Sequence, residues 1–363
     1  MRYRIRPALL LAPAGLLLAA LAPWVLDGYH AGLAIKIMIY ALFALSLQLL
    51  VGGAGLISLG HAAFFGIGAY AAALLSPESG PANFFWLIPC AVAPAMAYAA
   101  LTGALALRTR GIYFIMITLA FAQMAYYVFH DTEAGGGSDG IYLYFRPEWR
   151  IGGHTLLNVD GPHAFYLFTL AVLALAWLFL AVLMRSRFGA ALTGIRINEQ
   201  RMRAAGYATF SYKFTAYVLA AGLAALAGML YAAKDGFVNP ELLAWEQSGL
   251  VLLMVILGGL GRLGGAVAGA AALTLLQEAF QSEALFGGLA SHWHLPFGLS
   301  IIALVALLPR GLAGLLDRPG VRIASGASGA SGSAGSAAPG PRSTGRTGAA
   351  PESAPQTTYR PQP

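Results

Sequence analysis

Long stretches of apolar residues recur along this 363-residue chain. Many run for roughly 18 residues or more, the length that an α-helix needs to cross the ~30 Å hydrocarbon core of a bilayer. Within lipid the chain must satisfy all of its own backbone polar groups, so only helices or a closed barrel can span a membrane. Because these stretches are continuous and do not alternate in short segments, they predict an all-α polytopic membrane protein.

The composition agrees with this fold class. Charged residues make up 10% of the chain and hydrophobic residues 58%, whereas about 25% of a soluble domain is charged. The apolar stretches predict ten transmembrane helices, near residues 8–26, 33–51, 60–76, 84–107, 112–130, 164–184, 214–234, 246–260, 263–281 and 295–309. The third and eighth are short and rich in small residues, so they could be tilted, broken or partly re-entrant.

Lysine and arginine near the segment ends predict the orientation, because these residues favour the cytoplasmic side. Ten helices with both termini inside place most of them there: Arg2, Arg4, Arg6, Arg108, Arg110, Arg185, Arg187, Arg196, Arg201, Arg203, Lys213, Arg262, Arg310, Arg318 and Arg322. The outer loops receive Lys36, Arg146, Arg150 and Lys234. The net charge of +7 is therefore explained by topology, and no nucleic-acid partner is expected.

The two ends of the chain differ from its centre. Basic residues before segment 8–26 are also typical of a signal peptide, but the apolar stretch is longer than usual and Pro23 follows the small-residue site, which favours a retained helix. Residues 323–363 are rich in Ala, Gly, Ser, Pro and Thr. Such a composition cannot bury enough apolar surface to fold. We therefore predict a transmembrane domain over 1–322 and a disordered cytoplasmic tail over 323–363.

Motifs for catalysis and nucleotide binding are missing. None of the three lysines stands in the Gly-x-x-x-x-Gly-Lys-Ser/Thr pattern that binds nucleotide phosphates. We find no catalytic residues, and His292 with His294 are too few for a catalytic zinc site. The chain is thus expected to bind no cofactor and no metal. Charges inside the membrane are scarce, with Lys36 and Glu278 as the examples, whereas a proton-coupled transporter usually has more.

Glycine and alanine are frequent in the stretch Gly52–Tyr70, GGAGLISLGHAAFFGIGAY. Small residues allow close helix packing, as we also expect for Gly265 and Gly269 in the ninth segment. A second interpretation places Ser58, His61 and Phe65 at the inner mouth of a translocation pathway. A weak internal echo, GGAG at 52–55 and GGLG at 258–261, could equally be chance in a glycine-rich chain.

The cytoplasmic loop Arg185–Lys213 is the most informative segment. Residues Asn198–Ala205 predict a short helix that ends at Gly206. A short basic helix beneath the membrane could enforce topology, lie on anionic lipid or dock into another protein. The residues alone leave these alternatives open.

Several stretches, in the same order, resemble one family, the LivM-type permeases of branched-chain amino acid ABC importers. They are GGAGLISLGHAAFFGIGAYAAALL, RTRGIYFIMITLAFAQM, RSRFGAALTGIRINEQRMRAAG, AGLAALAGMLYA and VILGGLGRLGGAVAGAAAL. The resemblance covers roughly residues 35–316. It implies a multi-pass protein of the bacterial inner membrane that imports branched-chain or other small amino acids.

The resemblance also implies partners and site residues. In this family the loop with Glu199 forms a coupling helix that docks on an ATPase subunit, which binds the ATP. The coupling residues expected here are Arg196, Asn198, Glu199, Arg203 and Gly206. The other expected partners are a second homologous permease and an extracytoplasmic binding protein, for which the outer loop 130–163 could form part of the docking surface or be a flexible connector. Alternatives are urea or short amides as substrate, or a self-sufficient secondary transporter or channel.

Overall fold

Helices dominate the computed structural model, which describes residues 20–315 except 25–26, 78, 152–153, 158–160, 283–291 and 309–310. The helices are α1 (Gly28–Gln48), α2 (His61–Leu75), α3 (Phe84–Ala106), α4 (Ile112–Asp131), α5 (Pro162–Arg185), α6 (Arg187–Ile197), α7 (Glu199–Ala204), α8 (Thr209–Asp235), α9 (Trp245–Gly258), α10 (Leu263–Gln281), α11 (His294–Leu307) and α12 (Leu312–Leu315). Short 3₁₀ turns cover Ala22–Trp24, Glu133–Gly135, Gly137–Asp139 and Pro240–Leu243, and a π-helical turn, Leu49–Ala54, extends α1. The strands are β1 (Ile141–Tyr142), β2 (Trp149–Ile151), β3 (His154–Leu157) and β4 (Phe237–Val238).

Two long helices form the centre of the bundle. The apolar windows of α1 with its π-turn and of α8 are 83% and 72% buried inside the chain, whereas that of α11 is 6% buried. Both central helices are apolar on all sides, as a helix surrounded by other helices must be. The outer helices α3, α4, α5, α10 and α11 leave large apolar side chains exposed, which suits a surface that faces lipid.

Small residues set the distance between α2 and α8. A Cβ atom at Gly228 would lie 1.8 Å from the carbonyl oxygen of Phe65, and one at Gly68 would lie 2.2 Å from that of Ala225. Gly269 of α10 is equally close to α9, since its Cβ would lie 1.9 Å from the Met254 oxygen. These glycines let the helix backbones touch, so the packing interpretation of the small residues is confirmed for these pairs.

The chain leaves helical geometry between α1 and α2. Gly55 adopts a left-handed conformation with φ of 72° and ends the π-turn, and five irregular residues follow before His61. A helix start exposes N–H groups that lipid cannot satisfy. Here side chains of the bundle accept them: Ser248 Oγ from Ala62 N at 2.8 Å and Thr118 Oγ1 from Leu59 N at 3.3 Å. The break is therefore stabilised by neighbouring helices.

Contacts between helix ends divide them into two groups on opposite sides of the bundle. On one side the α6–α7 loop, which comprises residues 186–208 between α5 and α8, contacts the end of α1. On the same side Arg262 donates to the Ala313 carbonyl at 2.6 Å. On the other side β1 pairs with β4, and Phe84 N donates to the Glu148 carbonyl at 3.0 Å. If the helices α1–α5 and α8–α11 cross the membrane in alternating directions, their ends must form two such groups. Which side faces the cytoplasm stays a prediction.

Most predicted segments match the observed helices to within about two residues, whereas α1 and α8 begin five residues earlier than predicted, at Gly28 and Thr209. Nine of the ten predicted segments correspond to described helices: seven are long and apolar enough to cross a membrane, and α2 and α9 are shorter. The non-helical break at residues 55–60 lies just before the third segment, and α2 itself is one continuous helix over His61–Leu75, so a tilted or re-entrant third or eighth segment stays a prediction. The remaining predicted segment, 8–26, lies outside the described residues except for 20–24, so the total of ten helices stays a prediction. The predicted tail 323–363 also lies outside the described residues.

The loop 130–163 carries structure of its own. Ile141 pairs with Val238 and Tyr142 with Phe237, and β2 pairs antiparallel with β3. In its described part this loop is folded against the α8–α9 connection, which does not favour a plain flexible connector. Whether it docks a binding protein stays a prediction.

Candidate functional site: the α6–α7 loop

The α6–α7 loop has well-defined helix boundaries. Ser186 caps α6, its hydroxyl accepting from Phe188 N at 3.2 Å, and Asn198 caps α7, its side-chain oxygen accepting from Arg201 N at 2.9 Å. Asparagine and serine are preferred at such positions because their oxygens satisfy free N–H groups. Asn198 thus ends one helix and begins the next, which turns the chain sharply.

Gly206 ends α7 with a paired C-terminal motif. Its φ is 86°, in the left-handed region that favours glycine. Gly206 N donates to the Arg203 carbonyl at 3.0 Å and Tyr207 N to the Met202 carbonyl at 3.1 Å. These two bonds are the Schellman motif. The predicted short helix and its stop are confirmed, with α7 observed over Glu199–Ala204.

Glu199 is the centre of a charged cluster that fixes α7 to α8. Its Oε1 accepts from Arg203 Nη2 and Lys213 Nζ, each at 3.0 Å, and from Thr209 Oγ1 at 3.2 Å. The Lys213 side chain is 7% exposed and that of Glu199 22%, against 57% for Arg203. Lys213 is therefore the partner that most depends on the carboxylate.

The electrostatics of the cluster keep Glu199 ionised. Burial by itself raises the pKa of the Glu199 carboxyl, but the hydrogen bond and charge of Lys213 oppose it, with Arg110 and Thr209 adding to them. The net result is a pKa below the ordinary 4.5. Opposite charges and hydrogen bonds favour the charged form in this way.

Arg196 connects the loop to the end of α1. Its Nη1 donates to the Gly52 carbonyl at 2.6 Å. A cavity of about 260 Å³ lies at this junction, lined among others by Gly55, Arg110, Arg196, Glu199 and Lys213. The loop thus touches two helices of the bundle centre, α1 through Arg196 and α8 through Glu199.

The outward face of the loop is left open. Gln200, Arg201, Arg203 and Ala204 are exposed. Apolar side chains flank them, with Ile197 75% exposed, Tyr207 43% and Phe210 42%. Exposed apolar residues beside a polar rim are typical of interaction surfaces. The loop therefore combines a fixed inner face with an outer face that is free to bind.

Comparison with known proteins decides the family. The family described as "Branched-chain amino acid transport system / permease component" matches residues 29–305, well over half of the chain. The chain belongs to this permease family. It is accordingly a multi-pass inner-membrane permease subunit of the ABC transporter type, a transport component and not an enzyme.

Two curated relatives of this permease carry the same name. The "High-affinity branched-chain amino acid transport system permease protein LivM" of Salmonella typhimurium is 30% identical over 335 residues, covering 86% of this chain and 76% of the relative. The LivM protein of Escherichia coli is 31% identical over 336 residues, with the same coverage. No solved structure matches the permease. The predicted LivM-type resemblance is confirmed.

The structure unites the predicted coupling residues of the permease in one place. Arg196, Asn198, Glu199, Arg203 and Gly206 all lie in the α6–α7 loop, where Asn198 and Gly206 shape α7 while Arg196 and Glu199 fasten it. Their role in coupling stays a prediction. Sequence reasoning missed Lys213 and Thr209 as partners of Glu199. The signal in the sequence was Lys213 itself, a single lysine near the start of an apolar helix, where a charge needs a partner.

The predicted pathway residues lie deep inside the permease. Ser58, His61 and Phe65 are at most 1% exposed. His61 Nε2 is 2.8 Å from Ser46 Oγ, and its ring stacks on Phe43 at 5.7 Å. In this conformation they are packed between helices and are almost inaccessible to solvent. Their place in a translocation pathway stays a prediction.

Lys36 and Glu278, the charges predicted inside the membrane, meet each other in the permease. Lys36 Nζ lies 3.8 Å from Glu278 Oε2, and the Tyr29 hydroxyl donates to the same carboxylate. Pairing is what a membrane segment requires of such groups. Among the described residues no group of three or more His, Cys, Asp or Glu could hold a metal ion.

Proposed function

We propose that this permease imports branched-chain or other small amino acids by coupling the α6–α7 loop to ATP hydrolysis on a separate ATPase subunit. The observation that carries the proposal is the geometry of the loop. Its inner face is fixed to α1 and α8 by Arg196 and Glu199, whereas its outer face exposes Arg201, Ile197 and Tyr207. A partner that moves this loop therefore moves the bundle centre.

Docking into a protein accounts for the exposed apolar side chains better than solvation alone. Ile197 is 75% exposed at the junction of α6 and α7, with basic residues on the next turn. Interfaces commonly combine an apolar centre with arginine at the rim. An anionic lipid surface is the remaining alternative, and the pull-down below distinguishes it.

The expected partners are two ATPase subunits, a second homologous permease and an extracytoplasmic binding protein. The names of the LivM relatives support amino acids as the solute. Urea or a short amide is the alternative substrate, because the binding protein selects the solute in systems of this type.

The test is a reconstitution of the permease with the partner subunits from its own source. We expect uptake of radiolabelled leucine into proteoliposomes that requires the ATPase, ATP and binding protein together. The tagged native chain should recover the ATPase in mild detergent, and Glu199→Ala should recover much less. Arg187→Gln is the matched control, since Arg187 is an exposed residue of the same loop that we place outside the contact.

Two results would contradict the proposal. Uptake by the permease alone under an imposed proton or sodium gradient would indicate a secondary transporter. Recovery of anionic lipid without any ATPase would assign the loop to the membrane surface. Uptake of urea in place of leucine would change the substrate and leave the coupling mechanism intact.

A further inference from the structure

The two glycine-rich turns of the echo, residues 52–55 and 258–261, lie against each other in the fold. A Cβ atom at Gly52 would lie 2.9 Å from both Cα and N of Gly261. Gly261 has a φ of 81°, a conformation that favours glycine. Two turns more than 200 residues apart in sequence are therefore in backbone contact where α1 ends and α10 begins.

A buried amide forms the first link between the turns. Gln48 of α1 is 2% exposed, and the amide orientation that satisfies its neighbours lets its side-chain oxygen accept from Gly261 N at 2.6 Å and Arg262 N at 2.7 Å. These N–H groups precede α10 and have no intrahelical acceptor. The link is internal to the bundle and gives no access to a partner.

Arg196 forms the second link, and it comes from the α6–α7 loop. Its guanidinium donates to the Gly52 carbonyl at 2.6 Å, one of the last carbonyls before the helix ends. Such carbonyls lack an intrahelical donor and carry the negative end of the helix dipole, so a cation is favoured there. The bond is charge-assisted and stronger than a neutral one.

The turns are shaped around this side chain. A Cβ at Gly55 would lie 2.8 Å from Arg196 Cγ, and one at Gly261 would lie 3.4 Å from Arg196 Nη1. The arginine thus occupies a slot whose walls are glycines of both turns. Arg196 is nonetheless exposed as a whole residue, so the loop can withdraw it without crossing the interior.

The geometry points to Arg196 as the positioning residue through which the α6–α7 loop closes the two glycine-rich turns at the predicted cytoplasmic end of the bundle. With the guanidinium in its slot the Gly52–Gly261 contact is held shut. When the loop moves, the Gly52 carbonyl loses its donor, the Gln48 link alone remains, and the turns are free to separate. Gly55, with its left-handed φ, and the irregular residues up to Gly60 supply a stretch that can yield, because no helix ladder is broken there. This inference rests on the proposed function and names the contact that transmits it.

A distance measurement tests the inference on the assembled transporter. In a Cys90→Ser background, spin labels at Ile57 and Leu260, which are 41% and 55% exposed, report the separation of the turns. We expect a narrow distribution without nucleotide in the native protein. Arg196→Gln should broaden or lengthen that distribution, whereas Arg187→Gln, the control in the same helix, should leave it unchanged.

Coupling gives a second readout that a merely structural role does not move. Losing one charge-assisted bond is expected to lower leucine uptake per ATP hydrolysed about tenfold in Arg196→Gln, with ATP hydrolysis itself little changed. Arg196→Lys keeps the charge but not the planar fork, so it should recover part of the ratio. It also replaces the glutamine variant if that variant fails to assemble.

The outcomes separate the two proposals. A native distance distribution and native uptake per ATP in Arg196→Gln would overturn the role of Arg196 while leaving ATP-driven import in place. If the native complex itself shows no ATP-dependent uptake, the proposed function fails first. In that case the distance measurement still shows whether Arg196 holds the turns together.

Discussion

Glu199 and Arg196 show how single side chains turn a loop into a rigid attachment. Glu199 accepts three hydrogen bonds, and the amine of Lys213, which is 7% exposed, depends on it. Removing one partner of a buried charged pair costs more than the pair itself contributes, because the other charge is left without a donor or acceptor. The asymmetry of exposure therefore predicts which substitutions matter.

Glu199→Gln should loosen α7 from α8. We expect a loss of about 1–2 kcal/mol of local stability, since Glu199 is partly exposed and one neutral acceptor remains. Hydrogen exchange at the α7 amides should rise about tenfold. Arg203→Gln is the matched control, because Arg203 is 57% exposed and contributes only a surface pair of about 0.5 kcal/mol or less. Equal effects from both substitutions would contradict a central role for Lys213.

The attachment should also depend on pH in one direction. Because the folded pKa of Glu199 lies below the ordinary 4.5, its contribution is complete above about pH 4.5 and is lost as the pH falls through the lowered value. We expect the difference in α7 exchange protection between native protein and Glu199→Gln to be constant from pH 7 to 5 and to shrink below that. The measurement compares protection factors corrected for intrinsic exchange. A difference that grows on acidification would refute the assignment.

At the scale of elements, close backbone approach replaces large side chains as the source of packing. The hydrophobic effect contributes little to association between helices in lipid, so van der Waals contacts and hydrogen bonds hold the helices together. Gly228 of α8 against Phe65 of α2 is the tightest such contact among the described glycines. The same principle brings α9 and α10 together at Gly258 and Gly269.

Gly228→Ala should therefore be severely destabilising. Its Cβ would fall 1.8 Å from a backbone oxygen, which cannot move independently, so we expect a cost of about 3 kcal/mol or more. Gly249→Ala is the control, since nothing lies within 4 Å of its Cβ and alanine has the better helix propensity, by up to about 1 kcal/mol. Unfolding by denaturing detergent in mixed micelles measures both. A Gly228→Ala protein as stable as the control would mean that the α2–α8 contact is wrong.

At the scale of the whole molecule, the helix ends form two groups that agree with alternating passes. Basic residues collect on the side of the α6–α7 loop, at Arg110, Arg196 and Arg262. The opposite side carries the small strands and the Lys36–Glu278 pair. Arginine and lysine favour the cytoplasmic side of a membrane, so the loop side is expected to face the ATPase.

Orientation is directly testable, because the chain contains a single cysteine, Cys90. In a Cys90→Ser background we expect Arg201→Cys to react with a membrane-impermeant thiol reagent only in inverted vesicles. Tyr144→Cys, at a residue 69% exposed on the opposite side, should react only in intact cells. Reversed labelling would show that the orientation is opposite to the predicted one, with the α6–α7 loop on the side that no cytoplasmic ATPase can reach.

The sequence by itself determined the fold class, most of the helix boundaries and the short helix of the loop. These are local properties: the length of an apolar stretch, the helix stop at Gly206, and the positions of arginine and lysine. Segment 263–281 agrees with α10 at both ends because turns and charges bound it on either side.

Only the tertiary structure decided which distant residues meet. Gly52 lies 144 residues from Arg196, and Lys36 pairs with Glu278 across α1 and α10. No periodicity encodes such contacts, because they arise from how the helices pack and not from neighbours along the chain. For the same reason the glycine-rich pattern left packing and a pathway open for Ser58, His61 and Phe65, which are buried between helices; their place in a pathway stays a prediction. The echo of 52–55 and 258–261 acquired meaning only when the fold brought both turns against one arginine.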